Sequence, residues 1–371
     1  MSDRASSGAG PASRYTVLAE RVDAARKEGL LRRLRLVEPT DGAEARVDGR
    51  VVTLFCSNDY LGLAGHPEIA AAYTGGGAGA SRLISGNRPA HLALEEALGE
   101  LYGRPATLFG SGFTANLALL TTLLTAEDTV ASDALNHASI IDGVRLSGAK
   151  KVILEHGRPD IPAGTRLAVV EGLYSMDGDV LDLPRYFGGD HWLAVDESHT
   201  FGCLGPGGRG AALAKGVVPD FLMGTLGKAL GVVGAFVVGP PELRELLVSF
   251  GRTFVYTTGL PEPVARAALV GLRLANAERR ERLAHNTRRL RMGLWQIGAA
   301  ALGEAHVVPV VTGERTMAVA EQLLDKGYYV AGIRWPTVPR GRERVRITVS
   351  AAHTEAQIDG LIDALDGALR A

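Results

Sequence analysis

The chain has 371 residues, and its 40 lysines and arginines nearly balance its 41 aspartates and glutamates, leaving a formal net charge of −1. That balance excludes a general attraction to nucleic acid or to an anionic membrane. Two distant cysteines, Cys56 and Cys203, exclude a disulfide framework and a cysteine metal cluster and read as buried small residues, and no metal site is expected.

No apolar run is long enough to span a bilayer, and the N-terminus lacks the apolar core of a secretory signal. The expected compartment is the cytoplasm. Residues 1–13 are rich in Ser, Gly, Ala and Pro and read as disordered. The pattern over 15–36 is helical with a basic end, LLRRLRL, whose Arg32, Arg33 and Arg35 read on their own as a solvated face. ARVDGRVVTLFCS is a hairpin turned at Asp48-Gly49, and SNDYLGL follows as a loop. Residues 74–91 are glycine-dense, with Arg82 and Arg88, and are either a flexible loop or a place where backbone approaches a ligand.

From there strands and helices alternate. ATLFGSG leads into the helix FTANLALLTTLLT, and a strand, a Gly-Ser-Gly turn and a helix N-terminus together suit an anion. TVASD, KKVIL, RLAVVE and HWLAVD are further strands. This alternation predicts an α/β fold with a mainly parallel sheet covered on both faces. Ligands of such sheets bind outside the carboxyl ends of the strands, where Ser111, His137, Ser175, Asp196, His199 and Lys228 all fall. One polar residue after a strand is usually a cap, but six on one edge point to a site.

Lys228 sits in FLMGTLGKALGVVGAFVVG, between two apolar runs. Burying an ammonium is costly, and a lysine so placed either marks a surface hairpin turn or forms a Schiff base with a carbonyl. On this stretch alone both remain open. A nucleotide P-loop fails, because position 222 is not glycine and Ala229 replaces the required Ser or Thr. Residues 264–294 read as long helices, and the last third as a smaller α+β unit. The expected division is an arm and helix over 1–48, a large domain over 49–275 and a C-terminal domain over 276–371.

Pyridoxal 5′-phosphate would use this set fully. Lys228 supplies the amine, Asp196 an acidic partner for the ring nitrogen, His137 a group over the ring face, and His199 a partner for the ring oxygen. Gly112, Phe113 and Thr225 suit the phosphate.

The motifs SNDYLGL, GSGFTAN, LNHAS, EGLYSMDGD, VDESHTFG, TLGKALG, VYTTGLP and IRWPTVPRG followed by RITVSAAHT resemble, in order and spacing, the α-oxoamine synthases. These belong to the aspartate aminotransferase-like, fold-type I pyridoxal phosphate enzymes. The resemblance covers the chain from about Arg32 to the last helix. It implies catalytic roles for Lys228, His137 and Asp196, and a cofactor site of Gly112, Phe113, His137, Ser175, Asp196, His199, Thr225 and Lys228. Arg32, Asn58, His137, Arg334 and Thr337 match substrate positions, which reverses the solvated reading of Arg32. Thr257 and Thr258 match a loop reaching the neighbouring subunit's phosphate, so a homodimer with shared sites is implied.

The implied substrates are L-alanine and a pimeloyl thioester, on CoA or acyl-carrier protein. Arg82 and Arg32 are available to the far end of the acyl chain, while Arg88 reads as a surface residue serving solubility. Trp335, where relatives carry proline, would reshape that pocket. The alternatives are a sister enzyme taking glycine or serine with another acyl-CoA, as a 2-amino-3-ketobutyrate ligase does, and a non-catalytic structural subunit, which would be expected to lose the lysine.

Overall fold

The structure, a computed structural model, describes residues 15–40 and 42–370, so the disorder expected of 1–13 lies outside the described residues. Helix α1 spans Thr16–Lys27 and buries none of its residues. It is shorter than the pattern predicts because Gly29 takes a left-handed φ of 66°, which ends a helix. Residues 31–36 then run without helix into β1 (Val37–Pro39), so Arg32 lies on an extended arm. β2 (Glu44–Val47) and β3 (Arg50–Leu54) form the expected hairpin. Asp48 and Gly49 have φ of 46° and 87°, the positive pair that a tight primed turn requires.

β4 (Ala106–Phe109), β5 (Thr129–Asp133), β6 (Lys150–Leu154), β7 (Leu167–Glu171), β8 (Trp192–Asp196), β9 (Phe221–Thr225) and β10 (Ala235–Val238) make one sheet. Its order is β4-β10-β9-β8-β7-β5-β6. The pairs from β6 to β9 are parallel, and β10 alone runs antiparallel to both of its neighbours. Period-two alternation divides its side chains between two faces. Val130, Leu167, Val169, Ala194 and Met223 pack on one face with Ala115, Leu119, Ile140 and Val144. Ala131, Ala168, Val170, Leu193 and Val195 pack on the other with Tyr174, Leu181 and Ala211. Truncating one of the larger of these buried side chains to alanine costs about 2–5 kcal/mol.

The covering helices include α2 (Pro89–Tyr102), α3 (Gly112–Leu123) and α4 (Ala138–Ser147). The helical pattern expected over 264–294 is two helices, α5 (Glu262–Leu274) and α6 (Ala277–Gln296). They divide at Asn276, whose side chain caps the second by accepting from Arg279 N–H at 3.0 Å.

The last third holds β11 (Val307–Val311), α7 (Thr316–Asp325), β12 (Tyr328–Tyr329), β13 (Ala331–Ile333), β14 (Arg344–Thr348) and α8 (Glu355–Arg370). β11, β14 and β13 form a small antiparallel sheet. β12 pairs in parallel with β3, which ties the N-terminal hairpin to the C-terminal elements. No helix among the described residues is long and apolar enough to cross a membrane.

The large sheet carries the feature that positions the site. From β5 the chain steps outward to β6, then returns to the other side of β5 for β7 and continues to β8 and β9. That reversal opens a crevice at the carboxyl ends of β5, β7 and β8, where α/β proteins bind ligands.

Candidate active site

Asp196 ends β8 at this crevice and is buried. Both of its oxygens accept hydrogen bonds from N–H donors, Oδ2 from Asn116 Nδ2 at 2.9 Å and Oδ1 from Ser198 N at 2.9 Å. This is the environment of an ionised carboxylate. Asn116 lies on the inward face of α3, and its amide nitrogen also donates to Ser139 Oγ at 2.9 Å.

That second bond fixes His137. With its oxygen accepting from Asn116, the Ser139 hydroxyl donates to His137 Nδ1 at 2.8 Å, and Ser139 N–H donates to the same nitrogen at 3.2 Å. Nδ1 is therefore an acceptor, and the remaining proton sits on Nε2. Burial lowers the His137 pKa and Lys228 adds to this, against the pull of Asp196. The result is a neutral imidazole with a single N–H donor at Nε2. Phe113 meets the His137 ring edge-on at 6.4 Å between centroids.

Lys228 lies in the connection between β9 and β10. Topologically it is the hairpin turn that its flanking strands allow, but it is half-buried and turned inward rather than solvated. A Cβ on Gly231 would lie 2.3 Å from Ala64 N, so the connection is pressed against the SNDYLGL loop. Burial brings the Lys228 amine down to about 8, while Asp196 pulls the other way. Its Nζ stands 3.1 Å from His199 Nε2. His199 is buried, and burial together with Lys228 and Arg346 holds it well below the usual imidazole range.

A polar chain continues behind His199. Tyr60 Oη lies 2.6 Å from His199 Nδ1 and donates to Asn58 Oδ1 at 3.1 Å. Arg346 also donates to Asn58 Oδ1, at 3.2 Å, and through Nε to Ser175 O at 2.6 Å. With Tyr60 donating onward, His199 Nδ1–H donates to Tyr60 and Nε2 presents its lone pair to Lys228. Arg346 is buried, and no carboxylate among the described residues lies within ion-pair distance of it. A buried guanidinium without an anion is costly, and this one faces the crevice beside Lys228.

The first turn of α3 completes the crevice. Ser111 Oγ caps it by accepting from Thr114 N–H at 3.2 Å. Gly112 and Phe113 have no acceptor of their own in the described structure, leaving two amides and a helix dipole for an anion. A Cβ on Gly112 would lie 2.6 Å from Thr225 Cγ2, so the glycine keeps this cradle open. The Thr225 hydroxyl donates to Ser198 O at 3.4 Å. Amine, paired carboxylate, imidazole donor and anion cradle together match the amine, ring nitrogen, ring face and phosphate requirements of pyridoxal phosphate.

Not every expected residue joins this cluster. Arg32 is exposed, and Arg334 donates to Leu31 O at 3.5 Å on the rim. Thr337 N–H bonds back to Arg334 O at 3.0 Å within the same loop, where Trp335 is covered by the Arg340 guanidinium at 4.6 Å. Thr257 and Thr258 are exposed. Arg82 is not available to a substrate: it is buried in an ion pair with Glu95. The residues that sequence reasoning passed over are Tyr60, Asn116, Ser139, Glu171 and Arg346. All five lie inside motifs quoted above, Arg346 as the first residue of RITVSAAHT, but their polar atoms serve other site residues, and only the folded geometry brings these together.

Residues 50–365 match the aminotransferase class I and II family, and the chain belongs to that family, with the aspartate aminotransferase-like architecture of the fold-type I enzymes. Pyridoxal phosphate is the cofactor of this class, and serine palmitoyltransferase has been solved with it. Among individual proteins, the chain is 45% identical over 363 residues to the 8-amino-7-oxononanoate synthase of Methylococcus capsulatus, covering 90% of this chain and 94% of that one. The serine palmitoyltransferase of Sphingomonas wittichii superposes with a TM-score of 0.88 at 30% identity over 98% of both chains. The 8-amino-7-oxononanoate synthase of Francisella tularensis superposes with a TM-score of 0.76 at 27% identity, covering 86% of this chain and 98% of that one.

Proposed function

We propose that this chain condenses L-alanine with a pimeloyl thioester, on CoA or acyl-carrier protein. The products are 8-amino-7-oxononanoate, CO2 and the free thiol carrier, a step of biotin biosynthesis carried out in the cytoplasm. The observation that carries the reading is Asn116, which binds the Asp196 carboxylate and, through Ser139, fixes His137 as a donor opposite Lys228. Named synthases at 45% identity support the choice of substrates.

Pyridoxal phosphate, when bound, supplies the electron sink that makes the α-carbon of an amino acid acidic and lets carboxylate leave as CO2. Lys228 would hold it covalently, Asp196 would face its ring nitrogen, and His137 its ring face. Gly112, Phe113, Thr225 and Ser175 would line the rest of its site, with Thr257 and Thr258 contributed by the partner. Lys228 Nζ, once released, takes the α-proton of alanine and later returns a proton to the product. His137 Nε2–H hydrogen-bonds the acyl carbonyl oxygen, where negative charge develops as the new C–C bond forms and the C–S bond breaks.

Asn58 with Arg346 binds the alanine carboxylate. Of the two arginines at hand, Arg346 has the stronger claim, because it is buried against Asn58 whereas Arg334 lies on the rim. Arg334 and Thr337, with Arg32 across the rim, would line the acyl entrance.

A homodimer is part of this reading. Leu34 is 97% exposed on the arm, and Ile84 and Tyr256 are 81% and 76% exposed on neighbouring loops joined by Gly259 N–H to Ala80 O. Apolar side chains so exposed suit a second copy of the chain. The likeness to serine palmitoyltransferase keeps serine as the competing amino acid. Product analysis by mass spectrometry, with alanine, glycine and serine each offered against several acyl thioesters, decides. The reading is overturned if glycine or serine with another acyl-CoA gives the higher kcat/KM.

A further inference from the structure

Glu171 is a second buried carboxyl group in the site, and nothing above gives it a task. It ends β7, in register with Asp196 at the end of β8. Residues paired in this way direct their side chains to the same face of a sheet, so two carboxyl groups project side by side into the crevice. Two ionised carboxylates at this spacing in a buried site repel strongly. Asp196 is the one supplied with two N–H donors. Glu171 receives one, from His137 N–H to Oε1 at 2.5 Å.

That single bond is placed where it matters. The His137 amide belongs to the residue that begins α4 and carries the imidazole over the crevice. Glu171 thus grips the catalytic loop by its backbone, as Ser139 grips its ring. The β7 end is itself braced, because Glu171 N–H donates to Tyr174 Oη at 3.2 Å, and Tyr174 donates to Asn136 Oδ1 at 3.3 Å, next to His137.

We propose that Glu171 is a positioning residue that works as a neutral carboxylic acid, holding His137 through its amide and leaving Asp196 as the ionised carboxylate of the pair. The titratable groups facing it are Asp196 from β8, Asp133 from β5 and Lys228 from the β9–β10 connection. Burial drives its pKa well above the usual range, Asp196 and Asp133 add to this, and the His137 amide and Lys228 oppose it. One carboxylate facing the cofactor nitrogen fixes that proton. A second negative charge would raise the basicity of Lys228 and blunt it as a base near neutral pH. This role rests on the cofactor reading above but not on the choice of alanine or of the acyl group.

The test compares Glu171→Gln and Glu171→Ala in the pyridoxal phosphate-loaded protein. Glutamine copies a neutral acid, so the pH midpoint of the visible absorbance band of the Lys228-bound cofactor should move by no more than about 0.2 unit. If Glu171 is ionised, glutamine removes a negative charge beside Lys228, and that midpoint should fall by about half a unit or more. Such a fall overturns the proposal.

Alanine releases the His137 loop. It should weaken the circular dichroism of the bound cofactor and lower kcat roughly tenfold to a hundredfold, with glutamine recovering most of both. An alanine variant equal to the native protein in dichroism and kcat also overturns the proposal. Melting of the cofactor-free variants identifies a merely unfolded protein, and the absorbance titration still reads in the glutamine variant, which keeps the Oε1 acceptor. Because the titration needs no substrate, its result is separate from any error in the substrate pair.

Discussion

Asn116 shows how one uncharged side chain can set the state of two charged-site residues. One N–H of its amide supports the Asp196 carboxylate, and the other leaves Ser139 only one direction in which to donate, toward His137 Nδ1. Asp196→Asn removes the carboxylate proposed to face the ring nitrogen and should cut kcat at least roughly a hundredfold, read in steady-state assays. Near-native activity would show that this residue does not face the ring nitrogen. Asn116→Ala keeps that charge but frees the imidazole, and should raise the fraction of His137 that takes the wrong tautomer. A smaller loss in kcat, about tenfold, with retained cofactor binding is the expected split.

Lys228 carries a pH signature of its own. Its folded pKa lies near 8, below the usual lysine value, because of burial, so the amine is protonated below about pH 8 and free above it. The rate at which cofactor-free protein takes up pyridoxal phosphate should climb as pH rises toward 8 and level off beyond it. A stopped-flow profile still rising steeply at pH 10 would contradict the buried environment.

The loops that follow β5, β6 and β7 are held together by one histidine. His156 lies 3.0 Å from Asp133 Oδ1 through Nδ1 and 2.9 Å from Asp179 Oδ2 through Nε2, and its ring meets Tyr174 edge-on at 4.5 Å. The hydrogen bonds to Asp133 and Asp179 push its pKa up to about 10, against burial. A histidine raised in the folded state contributes stability that is fully present below its unfolded pKa, near 6.5. That contribution fades as pH climbs through about 10. His156→Gln should therefore lower Tm most near pH 6, with the gap to the native protein closing between roughly pH 6.5 and 10. Thermal melts across that range check it, and a gap that does not change with pH would mean the clamp is not charged.

At the scale of the whole molecule, the crevice exists because the sheet reverses its winding next to β5, and in the proposed homodimer its outer wall would come from the partner. Thr257 and Thr258 sit exposed, outside the cluster around Lys228. Mixing Lys228→Ala subunits with subunits carrying bulky replacements at Thr257 and Thr258 should restore activity in the heterodimer, since one of its two sites would be intact. If subunits exchange, as shown by differently tagged copies, and the mixture never exceeds its parents, the shared site is wrong.

The sequence alone determined the mainly parallel sheet, the separate hairpin at Asp48-Gly49 and the edge on which the polar residues gather. These follow from local periodicity and turn chemistry, which need no distant partner. It also placed Lys228 and Asp196, because a charged residue at the end of an apolar strand stands out against its own neighbours. It could not say whether Lys228 faced solvent or core, since a hairpin turn and a buried linkage share one local pattern. Nor could it single out Arg346, which opens the RITVSAAHT motif but meets Asn58, 288 residues away along the chain, only in the folded protein. The pairing of Glu171 with Asp196, the bond from Asn116 to Ser139 and the hidden Arg82–Glu95 pair were likewise decided by tertiary structure. Each depends on which strands and helices become neighbours, and burial is a property of the assembled core.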